Sequence, residues 1–219
     1  MILIGLSDIH GETAIIDRMG HILSRADAVL LAGDITHFSH AGKAERVVEA
    51  VRRHARCVLA VPGNCDHNDV NDWLEQEGIN LHCRTRTFGN IGIAGLGGSI
   101  YTPFNTPFEY SETQVRRFLS DAAAGLPENL PFVLVSHQPP ADTACDRIRG
   151  GRHVGSRELR EFIETYQPLA GFTGHIHESV TTDHIGRTKI VNPGQLRRGC
   201  YAYAEITSDL ISVEIRSFK

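Results

Sequence analysis

The first third of the chain alternates short apolar runs with stretches of helical periodicity, and this alternation limits the possible folds more than any other feature. The apolar runs ILIGL, AVLLA and CVLAV occupy residues 2–6, 28–32 and 57–61. Between them, residues 13–23 and 44–55 carry apolar side chains at the spacing of one helix face. An order of strand, helix, strand, helix, strand predicts a parallel sheet with helices packed on its faces.

The rest of the chain predicts further strands and helices. Residues 85–88 and 91–94 flank Gly89-Asn90 and predict a hairpin. FVLVSH at 132–137 predicts a buried strand, and the spacing of Ser111 and Gln114 predicts a capping box. Ser156 is expected to cap another helix. Residues 179–218 alternate polar and apolar, with turn residues at Gly186 and Ser208-Asp209, and predict antiparallel strands of a second sheet. We expect an α/β fold in one domain, residues 1–219, with two stacked mixed sheets and helices outside.

Composition narrows the functional class. The net charge of −4 argues against a surface built for non-specific nucleic-acid binding. The N-terminus lacks signal-peptide features, no run is long enough to span a membrane, and the five cysteines show no CxxC pairing, so we expect a cytoplasmic protein with reduced thiols. Twelve histidines indicate metal chemistry. The basic stretch at 146–160 fits either a solvated loop and helix face or a phosphate-binding rim.

Polar side chains follow five of the predicted strands, at the edge where open α/β sheets bind ligands. They are Asp8 and His10, then Asp34, then Asn64, then His137, and finally His175 and His177. Seven oxygen and nitrogen donors are too many for one tetrahedral zinc ion. They suit two cations that share a bridging carboxylate, an arrangement used for phosphoester hydrolysis. The paired histidines of GHIH would then provide one imidazole to each metal.

The series SDIH, GD, GNCD, SH and GHIH resembles the pattern of the calcineurin-like metallophosphoesterase superfamily, which runs D-x-H, G-D, G-N-H-[DE], H and G-H-x-H. The resemblance extends from residue 5 to about residue 195. It is strongest to the small bacterial and archaeal phosphoesterases related to cyclic-nucleotide phosphodiesterases. It implies a four-layer α/β/β/α sandwich and a dinuclear metal site. By the family pattern, the first metal is held by Asp8, His10 and His177, the second by Asn64, His137 and His175, and Asp34 bridges them.

The resemblance implies a metal-dependent phosphoesterase, with phosphodiester hydrolysis by a dimetal-activated hydroxide as the leading hypothesis. The donors favour manganese, iron or zinc ions, and the expected substrate is a small-molecule phosphoester. One alternative is a nuclease of the same superfamily, which the acidic net charge disfavours. Another is a non-catalytic protein-binding scaffold, as in the retromer subunit that shares this fold; retention of all seven donors argues against it. A homo-oligomer is possible from the sequence, and no membrane association is expected.

Cys65 departs from the family pattern, because many members have a histidine there that is taken to contact the substrate phosphate or to protonate the leaving group. Cys65, Asp66 and His67 are therefore the candidate catalytic residues. His67 could partly replace the missing imidazole or be a surface residue, and Asp66 could orient a metal ligand. His37 and His153 are further histidines without distinctive spacing. Residues 101–112 form either a loop over the core or a wall of the cleft or an oligomer contact.

Overall fold

The computed structural model describes residues 1–207 and 211–218. Its first sheet contains β1 (Ile2–Leu6), β2 (Ala28–Ala32), β3 (Val58–Val61), β12 (Cys200–Ile206) and β13 (Ile211–Ser217). The strand order is β13-β12-β1-β2-β3. β1, β2 and β3 are parallel, as the alternation of strands and helices predicts. β12 is antiparallel to β1, and β13 is antiparallel to β12.

The second sheet contains β4 (Arg84–Phe88), β5 (Ile91–Leu96), β8 (Phe132–Ser136), β9 (Ala170–Phe172), β10 (Thr181–Ile185) and β11 (Thr188–Asn192). Its order is β10-β11-β9-β8-β5-β4. The four central strands are parallel and the two edge strands are antiparallel to their neighbours. A short parallel pair, β6 (Ser99–Ile100) and β7 (Glu109–Tyr110), stands apart from both sheets.

Helices cover the outer faces of the two sheets. They are α1 (Thr13–Arg18), α2 (Gly20–Leu23), α3 (Ala41–Arg52), α4 (Asn68–Gln76), α5 (Glu112–Ala124) and α6 (Arg157–Tyr166). Buried side chains of α1 to α4 pack against the first sheet, and those of α5 and α6 pack against the second. A third apolar cluster fills the space between the sheets, with Leu30, Val61 and Phe172 among its members. The layers therefore run α/β/β/α, as the resemblance implies.

The C-terminal strands correct one expectation. The stretch 179–218 was predicted to form antiparallel strands of a second sheet, but its strands are divided between the two sheets. β10 and β11 extend the sheet that contains β9, with β11 parallel to β9, whereas β12 and β13 join β1 in the first sheet. An alternating pattern determines which face of a strand is buried but does not determine its partner strand. Gly186 does turn the chain between β10 and β11; the predicted turn at Ser208-Asp209 lies outside the described residues.

Two helices also differ from expectation. The helix predicted over 13–23 is divided at Met19 into α1 and α2. The short helix α4 was not predicted, because its nine residues contain few apolar positions. In the described part of the chain, no helix combines the length and the apolar character needed to cross a bilayer.

Candidate metal centre

The loops after β1, β2, β3, β8 and β9 meet at one edge of the two sheets. Backbone hydrogen bonds join them directly: Asp8 N–H donates to the Gly33 carbonyl at 3.2 Å, and Gly174 N–H donates to the His137 carbonyl at 2.9 Å. Glycine is required at two positions where these loops approach each other closely. A Cβ on Gly63 would lie 2.0 Å from the Asp34 nitrogen, and one on Gly174 would lie 1.7 Å from Ser7 Oγ.

Four of the predicted ligands have left-handed backbone conformations. The φ angles of Asp8, His10, Asp34 and His175 are +52°, +49°, +48° and +66°. Such conformations cost about 1–3 kcal/mol for residues other than glycine and are concentrated at functional sites, where the surrounding structure enforces them. Here the inter-loop hydrogen bonds and close backbone contacts enforce them.

Asp8, His10, Asp34 and His177 form a first group of donor atoms, all within 4.8 Å of one another. His177 Nε2 lies 3.0 Å from Asp8 Oδ1, and His10 Nε2 lies 3.8 Å from Asp34 Oδ2. The Nδ1–H of His10 donates to the Thr36 carbonyl at 3.3 Å. The lone pair of His10 is therefore on Nε2, which faces the group. These four residues could hold a metal ion.

His137, Asn64 and Asp34 form a second group. The Nδ1–H of His137 donates to the Ala32 carbonyl at 2.9 Å, which leaves the lone pair on Nε2. That Nε2 lies 2.8 Å from Asn64 Oδ1 and 3.3 Å from Asp34 Oδ1. The Asn64 amide is oriented by Thr106, whose Oγ1 accepts from Nδ2 at 2.9 Å. His137 Nε2, Asn64 Oδ1 and Asp34 Oδ1 thus converge as three acceptors with no donor among them, an arrangement that fits a cation.

The protonation states of the site suit metal binding for most of the ligands. Burial would raise the pKa of Asp8, but the hydrogen bond and charge of His177 and the charge of His137 lower it to about 2. Burial, with the charge of His137, lowers the pKa of His175 to about 4, and burial also lowers the pKa of His10. Burial acts against protonation of His177 too, but its hydrogen bond to Asp8 raises its pKa. Metals bind ionised carboxylates and neutral imidazoles, so among these four residues His177 is the one whose proton a metal would have to displace.

The predicted ligands all reach this edge of the sheets. The ring of His175 packs against that of His137, with centroids 5.1 Å apart, and the His175 N–H donates to both Asp8 oxygens at 3.2 Å. Cys65 lies beside them: its N–H donates to Asp34 Oδ1 at 2.8 Å, and the residue is 8% exposed. Burial and the Asp34 carboxylate raise the pKa of this thiol, so it stays protonated.

Asp66 is completely buried, and its carboxylate connects two of the site loops. It accepts from the Thr36 N–H and Oγ1 at 2.8 and 2.7 Å, from the Ile35 N–H at 3.1 Å and from the Gly63 N–H at 2.7 Å. Burial, reinforced by the Asp34 charge, raises its pKa to about 6. A residue enclosed in this way can position Asp34 and Asn64 but does not face the cleft.

Two of the remaining candidate histidines have different neighbours. His67 precedes α4, and its ring stacks on that of His40 with centroids 4.2 Å apart. His37, which had no distinctive spacing in the sequence, places its ring edge-on to His10 at 5.2 Å. Residues 101–112 pack against the Asn64 loop, because the Phe108 N–H donates to the Asn64 carbonyl at 3.1 Å.

Sequence analysis missed two residues that hold the ligand loops. Thr106 fixes the amide of Asn64, as described above. Asn192 is fully buried, and its side-chain amide donates to the carbonyls of Gly174 and Ile176 at 3.3 and 2.9 Å, on either side of His175. Neither residue belongs to a metal-binding motif, so the sequence contained no pattern that would have identified them.

Comparison with known proteins was consistent with this geometry. The calcineurin-like phosphoesterase family matches residues 1–179. The uncharacterized protein MJ1162 of Methanocaldococcus jannaschii is 38% identical over 199 residues, with 88% of each chain covered. The structure of TT1561 from Thermus thermophilus is similar with a TM-score of 0.72, 19% identity and 97% of each chain covered. That of the phosphopantetheinyl hydrolase of Mycobacterium tuberculosis is similar with a TM-score of 0.64, 14% identity and coverage of 90% of this chain and 91% of that one.

Proposed function

The chain belongs to the calcineurin-like phosphoesterase family and is a metal-dependent phosphoesterase, and we propose that it hydrolyses phosphodiesters with two metal ions. The observation that carries the two-metal proposal is the position of Asp34. Its Oδ2 faces His10 at 3.8 Å, and its Oδ1 faces His137 at 3.3 Å. One carboxylate with an oxygen toward each of two donor groups is the arrangement that a bridging ligand requires.

In this proposal the first metal is held by Asp8, His10 and His177, and the second by Asn64, His137 and His175. When bound, the metals would lower the pKa of a water molecule and neutralise charge that develops on the phosphoryl oxygens. The chain keeps these donors in place through backbone carbonyls, which fix the tautomers of His10 and His137. Asp66 holds the loops of Asp34 and Asn64 in register.

The expected substrate is a small-molecule phosphodiester, by resemblance to the phosphoesterases related to cyclic-nucleotide phosphodiesterases. A non-catalytic scaffold on the same fold would have no need of strained ligand loops or of three side-chain acceptors that converge with no donor among them. The convergence of Asn64, His137 and Asp34 therefore supports an enzyme over a scaffold. The choice of manganese, iron or zinc and the cytoplasmic location stay predictions.

The test is a calorimetric titration of chelator-treated protein with Mn²⁺, paired with hydrolysis of bis(p-nitrophenyl) phosphate. We expect about two Mn²⁺ ions per chain and activity that is lost with chelator and restored by Mn²⁺. Asp34→Asn should weaken both metal sites together, because it removes the charge shared between them, whereas His177→Ala should weaken one. Asp72→Asn, on the exposed face of α4, is the control for loss of a carboxylate.

Binding of a single Mn²⁺ ion by the parent chain, with the fold intact by circular dichroism, would contradict the dinuclear proposal. Normal metal content and activity in Asp34→Asn would contradict the ligand assignment. Faster hydrolysis of p-nitrophenyl phosphate than of the diester would contradict the proposed substrate class.

A further inference from the structure

Residues 146–153, between β8 and α6, form a tight hairpin that we call the arginine hairpin. Arg147 and His153 pair as an antiparallel bridge, and the Ile148 N–H donates to the Arg152 carbonyl at 3.0 Å. Gly150 and Gly151 turn the tip with φ angles of +96° and +83°. Three exposed guanidinium groups extend from this short segment, those of Arg147, Arg149 and Arg152.

The arginine hairpin is attached to the metal centre. Ser179 Oγ donates to the Arg147 carbonyl, and the Arg149 N–H donates to Glu178 Oε1 at 3.1 Å. Glu178 and Ser179 directly follow His177, a proposed metal ligand. The hairpin therefore lies at the rim of the site rather than on a remote surface.

A chain of hydrogen bonds orients the Arg147 side chain. Asp146 is fully buried and accepts from the N–H groups of Thr143 and Gly155 at 3.0 and 2.9 Å. The Nδ1–H of His153 donates to Asp146 Oδ1 at 2.5 Å. The Nε2 of His153 is consequently an acceptor, and Arg147 Nε–H donates to it at 3.3 Å. Within the described residues, no hydrogen bond occupies the terminal amino groups of Arg147.

Arg160, another basic residue of the stretch 146–160, is used differently. Arg160 donates to Glu164 Oε1 at 2.8 Å and to the carbonyls of Ala141 and Asp142 at 2.9 and 3.0 Å. It therefore stabilises the loop before the hairpin. The described contacts place two carboxylates against the hairpin, that of the buried Asp146 and that of Glu178, and both accept hydrogen bonds from other groups. Three guanidinium groups still exceed the charge of these two carboxylates.

We propose that Arg147, supported by Arg149 and Arg152, binds a second phosphate group of the substrate, remote from the ester that is hydrolysed. A guanidinium that is fixed through Nε and has its amino groups available matches the oxygens of a phosphate group. The proposal rests on the proposed function, because it assumes that the phosphoester lies at the metal centre. The proposed substrates are therefore phosphodiesters that carry an additional phosphate group.

The test compares the affinities of Mn²⁺-loaded protein for thymidine 3′,5′-bisphosphate and thymidine 5′-monophosphate by calorimetry. We expect the bisphosphate to bind about ten- to hundredfold more tightly, the range of one charge-assisted, hydrogen-bonded pair. Arg147→Gln should abolish this preference, and His153→Phe should reduce it, because the acceptor that orients the guanidinium is lost. Arg187→Gln, which removes an exposed arginine at the β10–β11 turn, should preserve it.

Equal affinities in the parent protein, or an equal loss in Arg147→Gln and Arg187→Gln, would overturn the inference. Hydrolysis of thymidine 5′-(p-nitrophenyl phosphate), with and without a 3′-phosphate, separates this outcome from failure of the proposed function. Hydrolysis of both compounds at the same kcat/KM contradicts only the second phosphate site. An Arg147-dependent binding preference without any hydrolysis contradicts only the proposed phosphodiesterase activity.

Discussion

At the scale of single residues, Cys65 raises the question of which group protonates the leaving group of the substrate. Cys65 is 8% exposed, and burial together with the Asp34 carboxylate raises the pKa of its thiol. A neutral thiol is a weak hydrogen-bond donor, whereas a positioned acid accelerates departure of a basic leaving group by about 10²–10⁴-fold. We therefore predict that aryl phosphodiesters, whose leaving groups need no proton, are hydrolysed much faster than alkyl phosphodiesters.

Plots of kcat/KM against leaving-group pKa check this prediction for the parent chain, Cys65→His and His67→Ala. Cys65→His should accelerate alkyl esters more than aryl esters, because an imidazole can donate a proton from that position. If His67 donates the proton in the parent, His67→Ala should slow alkyl esters selectively; its stacking on His40 is the contact that would have to open. Parallel slopes for all three proteins would exclude both positions from proton transfer.

Single residues of the site also differ in whether the sequence predicts them. The seven ligands could be proposed from the sequence because each follows a strand within a short motif and because oxygen and nitrogen donors have recognisable chemistry. The residues that hold them could not. Thr106 lies 42 positions from Asn64, and Asn192 lies 16 positions from Ile176. Their roles arise from hydrogen bonds between distant segments, and no local spacing encodes such bonds.

At the scale of elements, α5 and α6 are coupled by Glu112, the first residue of α5. Its carboxylate accepts from Ser156 Oγ at 2.6 Å and from the Arg157 N–H at 2.8 Å. It therefore caps the N-terminus of α6 together with Ser156, whose Oγ accepts from the Leu159 N–H at 3.1 Å. An acidic group at this position satisfies unpaired N–H groups and interacts favourably with the helix dipole.

We predict that Glu112→Ala lowers the free energy of unfolding by about 1–2 kcal/mol, the usual cost of losing a helix cap. Urea unfolding followed by circular dichroism measures the change. Glu45→Ala, at an exposed position of α3, is the matched control and should change stability little. If both variants had the same stability, the carboxylate of Glu112 would contribute nothing to the cap.

Elements also differ in how far the sequence predicts them. The capping box of Ser111 and Gln114 and the hairpin of β4 and β5 formed where local patterns indicated. Turn and cap chemistry is short-range, so a few adjacent residues suffice to specify it. The pairing of β12 with β1 joins strands nearly two hundred residues apart. It depends on which sheet edge is available after the rest has folded, and periodicity contains no information about this.

At the scale of the whole molecule, the segment 79–83 connects β3, an edge strand of the first sheet, with β5 of the second sheet. The Leu81 N–H donates to the Ala60 carbonyl of β3 at 2.8 Å, and the Cys83 N–H donates to the Gly95 carbonyl of β5 at 3.1 Å. His82 lies between these two contacts. Its Nδ1 accepts from the Gly97 N–H at 3.0 Å, and its ring packs against Phe108 and Phe118. The junction of the sheets therefore requires a neutral imidazole.

This requirement makes the stability of the fold depend on pH. Burial, with the charge of Arg84, lowers the pKa of His82 from 6.5 to about 4. Between these values the unfolded chain binds a proton that the folded chain does not, so stability is complete above about pH 6.5 and falls as the pH decreases toward about 4. The loss between about pH 7 and pH 5 is about 2 kcal/mol for this one group.

We predict that His82→Gln, whose amide oxygen can still accept from Gly97, loses about 2 kcal/mol less stability than the parent over that interval. Urea unfolding of the metal-free proteins at both pH values measures the difference, since metal ligands would add their own pH dependence. His21→Gln, at an exposed position, should behave as the parent does. An identical loss of stability in all three proteins would contradict the prediction. It would mean that a protonated His82 ring stays at the junction at no cost, although its hydrogen bond to Gly97 is lost.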